Sequence, residues 1–532
     1  MKVKQSNHWA KIFHWRDFRL QVFVEGIIVG LFAGIVSVAF RYLLEKADWL
    51  RNRLYVVISS GGFKVAFGWF IALIIISLII SMLVKFEPMS KGSGIPDVEG
   101  ILARHFKMNW LRVLVAKFIG GVLAIGAGLS LGREGPSVQL GAAVGQGISR
   151  IFGRSKIEEK YLLTSGASAG LAAAFNAPLA GVIFALEELH KNFSPAVLMS
   201  AVAASLTADL VTQEVFGPNP VFNFQELSVF PIRYYFYLII LGAICGAFGT
   251  VFNKTLLRSL DVFDKISSRF TFLGPAVALI ISGLLGLVLP QALGGGNNLI
   301  DAMTKGKFAL SLLLVLLVIK FLFTMISYGS GVPGGIFLPL LVIGALTGNI
   351  YGHFLINFLH VDNQYAINFI VLAMSAYFTA IVKAPITGSI LITEMTGSFH
   401  HLLALITVSM VAYVISDLLN GKPVYEQLLH RSLSKRGFVT AKDDKGNKII
   451  TEVAVCLGSK LDGKRIKDVQ WPEHCLLISI KRGATDIIPK GNTSLRSGDY
   501  LFVLVNENQA NKIKEELLKM AAECEPRGYN ET

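Results

Sequence analysis

The sequence has 532 residues, 53% of them hydrophobic and 16% charged, with a formal charge of +14 and a mean hydropathy of +0.56. Soluble domains carry about 25% charged residues, so this composition excludes a soluble enzyme, a disordered chain and a disulfide scaffold. The basic excess points to anionic lipid or an anionic substrate; nucleic acid is disfavoured, because no basic stripe interleaved with aromatics is present.

Residues 1–19 are basic and polar (Lys2, Lys4, Lys11, Arg16 and Arg19 against Asp17) and show no cleavable-signal pattern. The excess of Lys and Arg places this segment on the cytoplasmic side. Apolar stretches then fill 20 to about 420. Those at 20–43, 64–84, 232–252, 274–292 and 308–327 match the length of a bilayer core, about 20 residues. Those at 137–149, 161–175, 178–189, 335–347, 367–382 and 385–396 are short or cut by Gly and Pro. Their polar ends must be buried in protein or line a cavity, the pattern of transporters with discontinuous helices. The 51 glycines fit the same picture of close or interrupted helices.

The chain repeats itself. Gly132, Gly135, Gly145, Ile151 and Gly153 align without gaps to Gly331, Gly334, Gly344, Ile350 and Gly352. A second block aligns Ser168, Ala177, Pro178, Gly181 and Glu187 to Ser375, Ala384, Pro385, Gly388 and Glu394. Repeats in a transporter put the binding site where broken helices meet near the midplane.

The character changes after Tyr425. Residues 431–448 read as a basic juxtamembrane linker. Beyond them, β-type runs at Ile449–Cys456, Cys475–Ile480, Ile487–Pro489 and Tyr500–Val505 are separated by turn signals and followed by an amphipathic helix near 508–522. Residues 449–532 therefore form a small cytosolic α/β domain. The four cysteines, Cys245, Cys456, Cys475 and Cys524, make no C-x-x-C pair and no cluster at metal spacing, so reduced residues and no metal site are expected.

Three Gly-rich segments carry the chemistry: Gly92-Ser93-Gly94-Ile95-Pro96, Gly132-Arg133-Glu134-Gly135-Pro136 and Gly335-Ile336-Phe337-Leu338-Pro339. Each adjoins a predicted helix start. Gly lets the backbone turn, Pro fits a first helical turn, and helix N-termini offer free N–H groups and about half a positive charge. Several converging in the membrane would hold an anion weakly enough to release it. Gly294-Gly295-Gly296-Asn297-Asn298 lacks the Lys-Ser/Thr of a phosphate loop and is expected to be an extramembrane turn.

Together with Tyr425 in Lys422-Pro423-Val424-Tyr425, these segments resemble the signature motifs of the CLC family of chloride channels and chloride/proton antiporters, over about residues 20–430. The resemblance implies an α-helical polytopic membrane protein, a homodimer whose subunits each hold a pore built from two inverted repeats of tilted and broken helices. It implies chloride bound by the Ser93 hydroxyl, the Tyr425 phenol and the backbone at Gly94, Ile95, Ile336 and Phe337. Glu134 matches the gating glutamate, which competes with chloride as a carboxylate and swings away when protonated. Glu188 matches the inner proton-transfer glutamate typical of antiporters.

From the residues themselves, other roles stay open. Glu134 could be a structural ion pair with Arg133. Lys117 and Arg133 could raise local chloride or snorkel to headgroups. Gly135 belongs to the motif backbone, and Glu187 faces an inner water route or supports the fold. The C-terminal domain resembles the TrkA-C-like regulatory subdomain of RCK-type potassium-transport proteins, through Gly458–Lys464, Ile487–Thr493 and Leu495–Asp499. Members of that family pair into dimers, and some bind small nucleotide-type regulators such as cyclic dinucleotides; a dimer-stabilising domain without a ligand is the other reading. The expected function is exchange of chloride for protons across the plasma membrane, with both termini cytoplasmic and no cofactor. The alternative is a passive voltage- or proton-gated chloride channel of the same fold.

Overall fold

The computed structural model describes residues 7–522 apart from 192, 223, 225–226, 269, 307, 437–447, 484 and 507–508, and for 7–19 and 59 it describes the backbone. Most of the expected basic linker, the first six residues of the N-terminal segment and Cys524 lie outside the described residues. The chain divides into two compact units, Met1–Leu433 and Ser434–Thr532. The sequence placed the start of a linker at 431, whereas the last helix of the first unit runs on to Lys435.

The first unit is helical. Its first half comprises α1 (Asn7–Phe86), α2 (Ile95–Leu102), α3 (Trp110–Gly126), α4 (Glu134–Ile151), α5 (Lys156–Phe175), α6 (Pro178–Phe184) and α7 (Pro195–Phe216). Its second half comprises α8 (Tyr235–Ser267), α9 (Leu273–Val288), α10 (Asn297–Lys305), α11 (Leu310–Gly329), α12 (Phe337–Leu359), α13 (Ala366–Val382), α14 (Pro385–Thr396) and α15 (Leu402–Leu418), and α16 (Val424–Lys435) closes it. α1 breaks at Gly62, whose φ of 71° is left-handed, so it forms two spans, Leu20–Ile58 and Ser60–Phe86. Among the described residues eight helices are long and apolar enough to cross a membrane. Two of them, α7 and α15, are absent from the stretches read in the sequence, and α12 is longer than the expected 335–347.

The glycines explain how the helices meet. Lipid offers no hydrophobic drive between helices, so close backbone packing must supply it. Gly26, Gly30 and Gly34 on α1 lie against Ser200, Ala204 and Ala208 on α7; a Cβ at Gly30 would come within 2.3 Å of the Ala204 carbonyl oxygen. Gly141 and Gly166 bring α4 and α5 into backbone contact, a Cβ at Gly141 meeting the Gly166 carbonyl at 2.0 Å. In the second half Gly348 of α12 meets Phe369 of α13 in the same way, at 2.2 Å.

The two halves repeat each other in polar detail. Ser168 pairs with Ser205 at 2.6 Å between α5 and α7, and its repeat mate Ser375 pairs with Ser409 at 2.8 Å between α13 and α15. The Glu187 carboxylate accepts from the amides of Ile386 and Thr387, at 3.4 and 2.8 Å, at the start of α14. Its mate Glu394, on α14, accepts from Leu179 and Ala180, at 3.0 and 2.7 Å, at the start of α6. Each helix of the pair thus caps the other.

The second unit is a four-stranded antiparallel sheet in the order β1-β4-β2-β3, built from β1 (Lys448–Ala454), β2 (Cys475–Arg482), β3 (Thr485–Ile487) and β4 (Asp499–Asn506), with α17 (Ala510–Ala522). β4 alternates buried and less buried residues, as a half-buried strand must. Leu501, Val503 and Val505 from it pack with Val453, Ile480, Ile513 and Leu517 in one core.

Candidate anion-binding site

Three loops of the first unit are tied together by backbone hydrogen bonds. Gly92 N donates to Val332 O at 3.1 Å and Gly334 N donates to Gly92 O at 2.9 Å. Gly132 and Gly335 exchange both bonds, at 2.6 and 2.8 Å. The ladder holds three helix N-termini side by side: α2 after Gly94, α4 at Glu134 and α12 after Ile336. Only glycines permit it. Gly94 has a φ of 90°, and a Cβ there would strike Gln139 Oε1 at 2.3 Å; a Cβ at Gly135 would strike Ser93 Oγ at 2.2 Å.

Ser93 lies at this ladder, against Gly135, and Tyr425 lies at the start of α16. Ser93 is 1% exposed and Tyr425, at the start of α16, is 0% exposed. Neither hydroxyl has a hydrogen-bond partner. A buried hydroxyl without an acceptor costs about 1–3 kcal/mol. Ile336 and Phe337 are buried, and the Phe337 ring packs on Phe378 at 4.6 Å and Phe175 at 5.3 Å, which fixes the first turn of α12. The amides of that turn are the free donors every helix N-terminus has. The fields of Tyr328, Glu188 and Glu134 all reach the Tyr425 phenol. Ile95 is buried beside Gly94 at the start of α2.

Glu134 is 0% exposed, and neither carboxylate oxygen has a hydrogen-bond partner of good geometry. Its Oε2 fills the space a side chain at Gly132 would need, 2.1 Å from that position, and the Leu338 amide lies at 3.0 Å from the same point. Arg133 does not pair with it: its Nη1 lies 3.7 Å from Glu45 Oε1. A cavity of about 430 Å³ reaches this place, lined by Arg133 and Leu338, by Glu45, Asp48 and Arg51 of α1, and by Gly294–Asn298.

On the other side, Glu188 sits on a π-helical turn, Ala185–His190, that extends α6. It is 6% exposed and its Oε1 has no partner. Glu187, next to it, points elsewhere and caps α14. Lys191 ends this turn with a positive φ of 52° and donates to Glu99 Oε1 at 2.6 Å.

Lys117 is fully buried. Its ammonium donates to the carbonyls of Ser90 at 3.0 Å and Gly92 at 2.6 Å, and so fastens the loop that carries Ser93. Two further buried residues of this architecture lie outside the sequence motifs. Lys320 of α11 makes the same pair of bonds to Ala292 at 3.0 Å and Gly294 at 2.6 Å. Gly294-Gly295-Gly296 is therefore the repeat counterpart of Gly92-Ser93-Gly94, with left-handed glycines at both ends, rather than an isolated turn. Tyr328 is the other: its hydroxyl hydrogen-bonds the Ser93 backbone. The spacing from each lysine to its glycine loop was the available signal. His401 is buried in a short 3-10 turn, and no metal-binding cluster occurs among the described residues.

Residues 75–417 match the family model described as voltage gated chloride channel, and residues 450–518 match the TrkA-C domain. A protein of Klebsiella pneumoniae (strain 342) named H(+)/Cl(-) exchange transporter ClcA is 36% identical over 449 residues, covering 82% of this chain and 94% of its own. One of the same name from Vibrio cholerae serotype O1 (strain M66-2) is 38% identical over 430 residues, covering 77% and 89%. The crystal structure of a slow cyanobacterial Cl-/H+ antiporter superposes with a TM-score of 0.74 at 31% identity, covering 78% of this chain and 99% of that one.

Proposed function

This chain belongs to the voltage-gated chloride channel family and carries a TrkA-C domain, and from that premise we propose that it is a secondary transporter exchanging chloride for protons. One observation carries the reading: two buried hydroxyls, Ser93 and Tyr425, and a buried carboxyl, Glu134, have no hydrogen-bond partner of good geometry, and Ser93 and Glu134 lie where three helix N-termini meet. Donors without acceptors suit an anion. A carboxylate among the same donors competes with that anion, and protonation removes its claim. Glu134 then gates the outer end and accepts the proton, and chloride lies between Ser93, Tyr425 and the amides at Gly94, Ile95, Ile336 and Phe337.

Glu188 hands protons to and from the cytosolic side. Its burial and unpartnered oxygen support this role over a solvated helix end, since an ionisable group in a membrane segment is costly without a task. Glu187 is a helix cap. In this reading the protein is a homodimer of the plasma membrane with both termini cytoplasmic, and the TrkA-C domain is regulatory.

The test is reconstitution in liposomes under an imposed chloride gradient. Antiport drives protons uphill. Chloride flux without proton movement at any voltage leaves a passive channel; absence of both fluxes overturns the anion site.

A further inference from the structure

A second charged cavity lies apart from the site above. It measures about 310 Å³ and sits among the C-terminal ends of α2 and α4 and the first turns of α5, at the small end of the ~300–1,000 Å³ range of ligand sites. Leu102, Phe106 and Leu163 give it an apolar floor, all three buried. Arg104, Lys107, Arg150, Lys156 and Lys160 line it as well.

Glu159 is the one carboxylate of the lining, and it is committed. It accepts from Gln146 Nε2 at 2.7 Å and lies 3.7 Å from Arg150 Nε. Arg150 in turn donates to Met108 O at 3.3 Å. Arg104, Lys107, Lys156 and Lys160 make no ion pair with any described carboxylate. Like charges gathered around one small space repel, and among the described residues Glu159 is the one carboxylate of the lining to offset them.

A single chloride would not need this set. Convergent arginine forks and lysine point charges suit a polyvalent oxyanion with several acceptor oxygens, and the apolar floor suits its organic remainder. We propose that this cavity binds a phosphate ester, either the headgroup of an anionic phospholipid or a soluble phosphate compound. The occupant bridges the far ends of α2 and α4, the two helices whose N-termini carry Gly94 and Glu134. It is thus placed to report membrane composition or metabolite level to the anion site through two rigid helices.

The test uses the full chain and three double variants, Arg104→Gln with Lys107→Gln, Lys156→Gln with Lys160→Gln, and a control on α8, Lys254→Gln with Arg258→Gln. All six side chains are exposed or half-buried, so the fold survives. Phosphatidylglycerol retained after extraction from mixed phosphatidylcholine and phosphatidylglycerol vesicles is counted by native mass spectrometry. Pyrophosphate binding is measured by thermal shift in phosphatidylcholine nanodiscs. Both cavity variants should lose at least about tenfold in affinity for one of the probes, as expected for two cations near an anionic group, and the control should not. Loss confined to phosphatidylglycerol identifies a lipid; loss confined to pyrophosphate identifies a soluble compound. Unchanged binding of both probes, or an equal loss in the control, overturns the proposal.

Discussion

Ser93 and Tyr425 differ from most hydroxyls of the membrane unit in one respect, which Ser37, Ser149, Tyr377 and Thr379 share. Thr164, Thr347, Thr393 and their like donate to a carbonyl one helical turn back, whereas Ser93 and Tyr425 donate to nothing. Removing either donor should weaken chloride without disturbing the fold. A neutral hydrogen bond is worth about 0.5–1.5 kcal/mol, so Ser93→Ala and Tyr425→Phe should each raise the chloride Kd about three- to tenfold in calorimetry, with little change in Tm. Unchanged affinity in both would remove these hydroxyls from the site. Glu134 and Glu188 separate by direction of effect. Glu134→Ala should abolish proton coupling while chloride still crosses, and Glu188→Gln should stop proton flux while leaving Glu134-dependent gating of chloride. Paired chloride-electrode and pH recordings on proteoliposomes distinguish these outcomes, and retained coupling in either variant refutes that residue's role. These residues were legible in the sequence because glycine and proline spell out a helix start, and a serine or glutamate beside one stands out. Tyr328 and Lys320 were not legible. Tyr328 acts on a loop far away in the chain and Lys320 on one 26 residues back, and an aromatic or a lysine inside an apolar run reads as packing or snorkelling until its partner is seen.

At the scale of elements, the reciprocal caps of α6 and α14 decide how the halves of the chain lock. Each N-terminus receives a carboxylate from the other helix, so each bond complements the positive end of a helix. Glu187→Ala or Glu394→Ala strands two amides, and a bond to a charged group contributes about 1.5–3 kcal/mol. Either variant should lower the Tm in detergent by several degrees, and Glu187→Gln, which keeps an acceptor oxygen, should recover part of it. A Glu187→Ala protein with wild-type Tm but lost proton flux would instead return this residue to the inner water route. α7 carries Ser200, Ser205, Thr207, Asp209 and Thr212, yet it is long and apolar enough to span. In three dimensions Ser200 and Ser205 face α5, where they meet Ser165 at 2.5 Å and Ser168 at 2.6 Å. α15, also apolar enough to span, turns Ser409 to α13. Polar residues paired inside a bundle cost little, so both helices remain spans despite them.

At the scale of the whole molecule, two units with separate cores answer to different solvents. The excess of basic residues belongs with the membrane unit and its flanks, because residues 445–532 hold 14 Lys and Arg against 12 Asp and Glu. The second unit instead owes part of its cohesion to one internal ion pair. Asp499 opens β4, fully buried, and accepts two bonds of 2.7 Å from Arg482 at the end of β2 and one of 2.8 Å from the Arg496 amide. Burial opposes its ionisation, but the bonds from Arg482 and the Arg496 amide outweigh it and hold the carboxyl below the usual carboxylate range. A depressed folded pKa gives stability that is fully present above the unfolded value, about 3.9, and is lost as pH falls through the lower folded value. The fragment 448–522, with its own core, should therefore keep a constant urea midpoint from this pair between pH 5 and 8 and lose stability below about pH 4. Arg482→Gln leaves a buried carboxylate with weaker partners. It should cost about 1–2 kcal/mol at pH 7 and move the acid limb upward in pH, read by circular dichroism in urea. An Arg482→Gln fragment with the wild-type midpoint at pH 7 and the same acid limb would show that the pair is a surface contact of no consequence to the sheet.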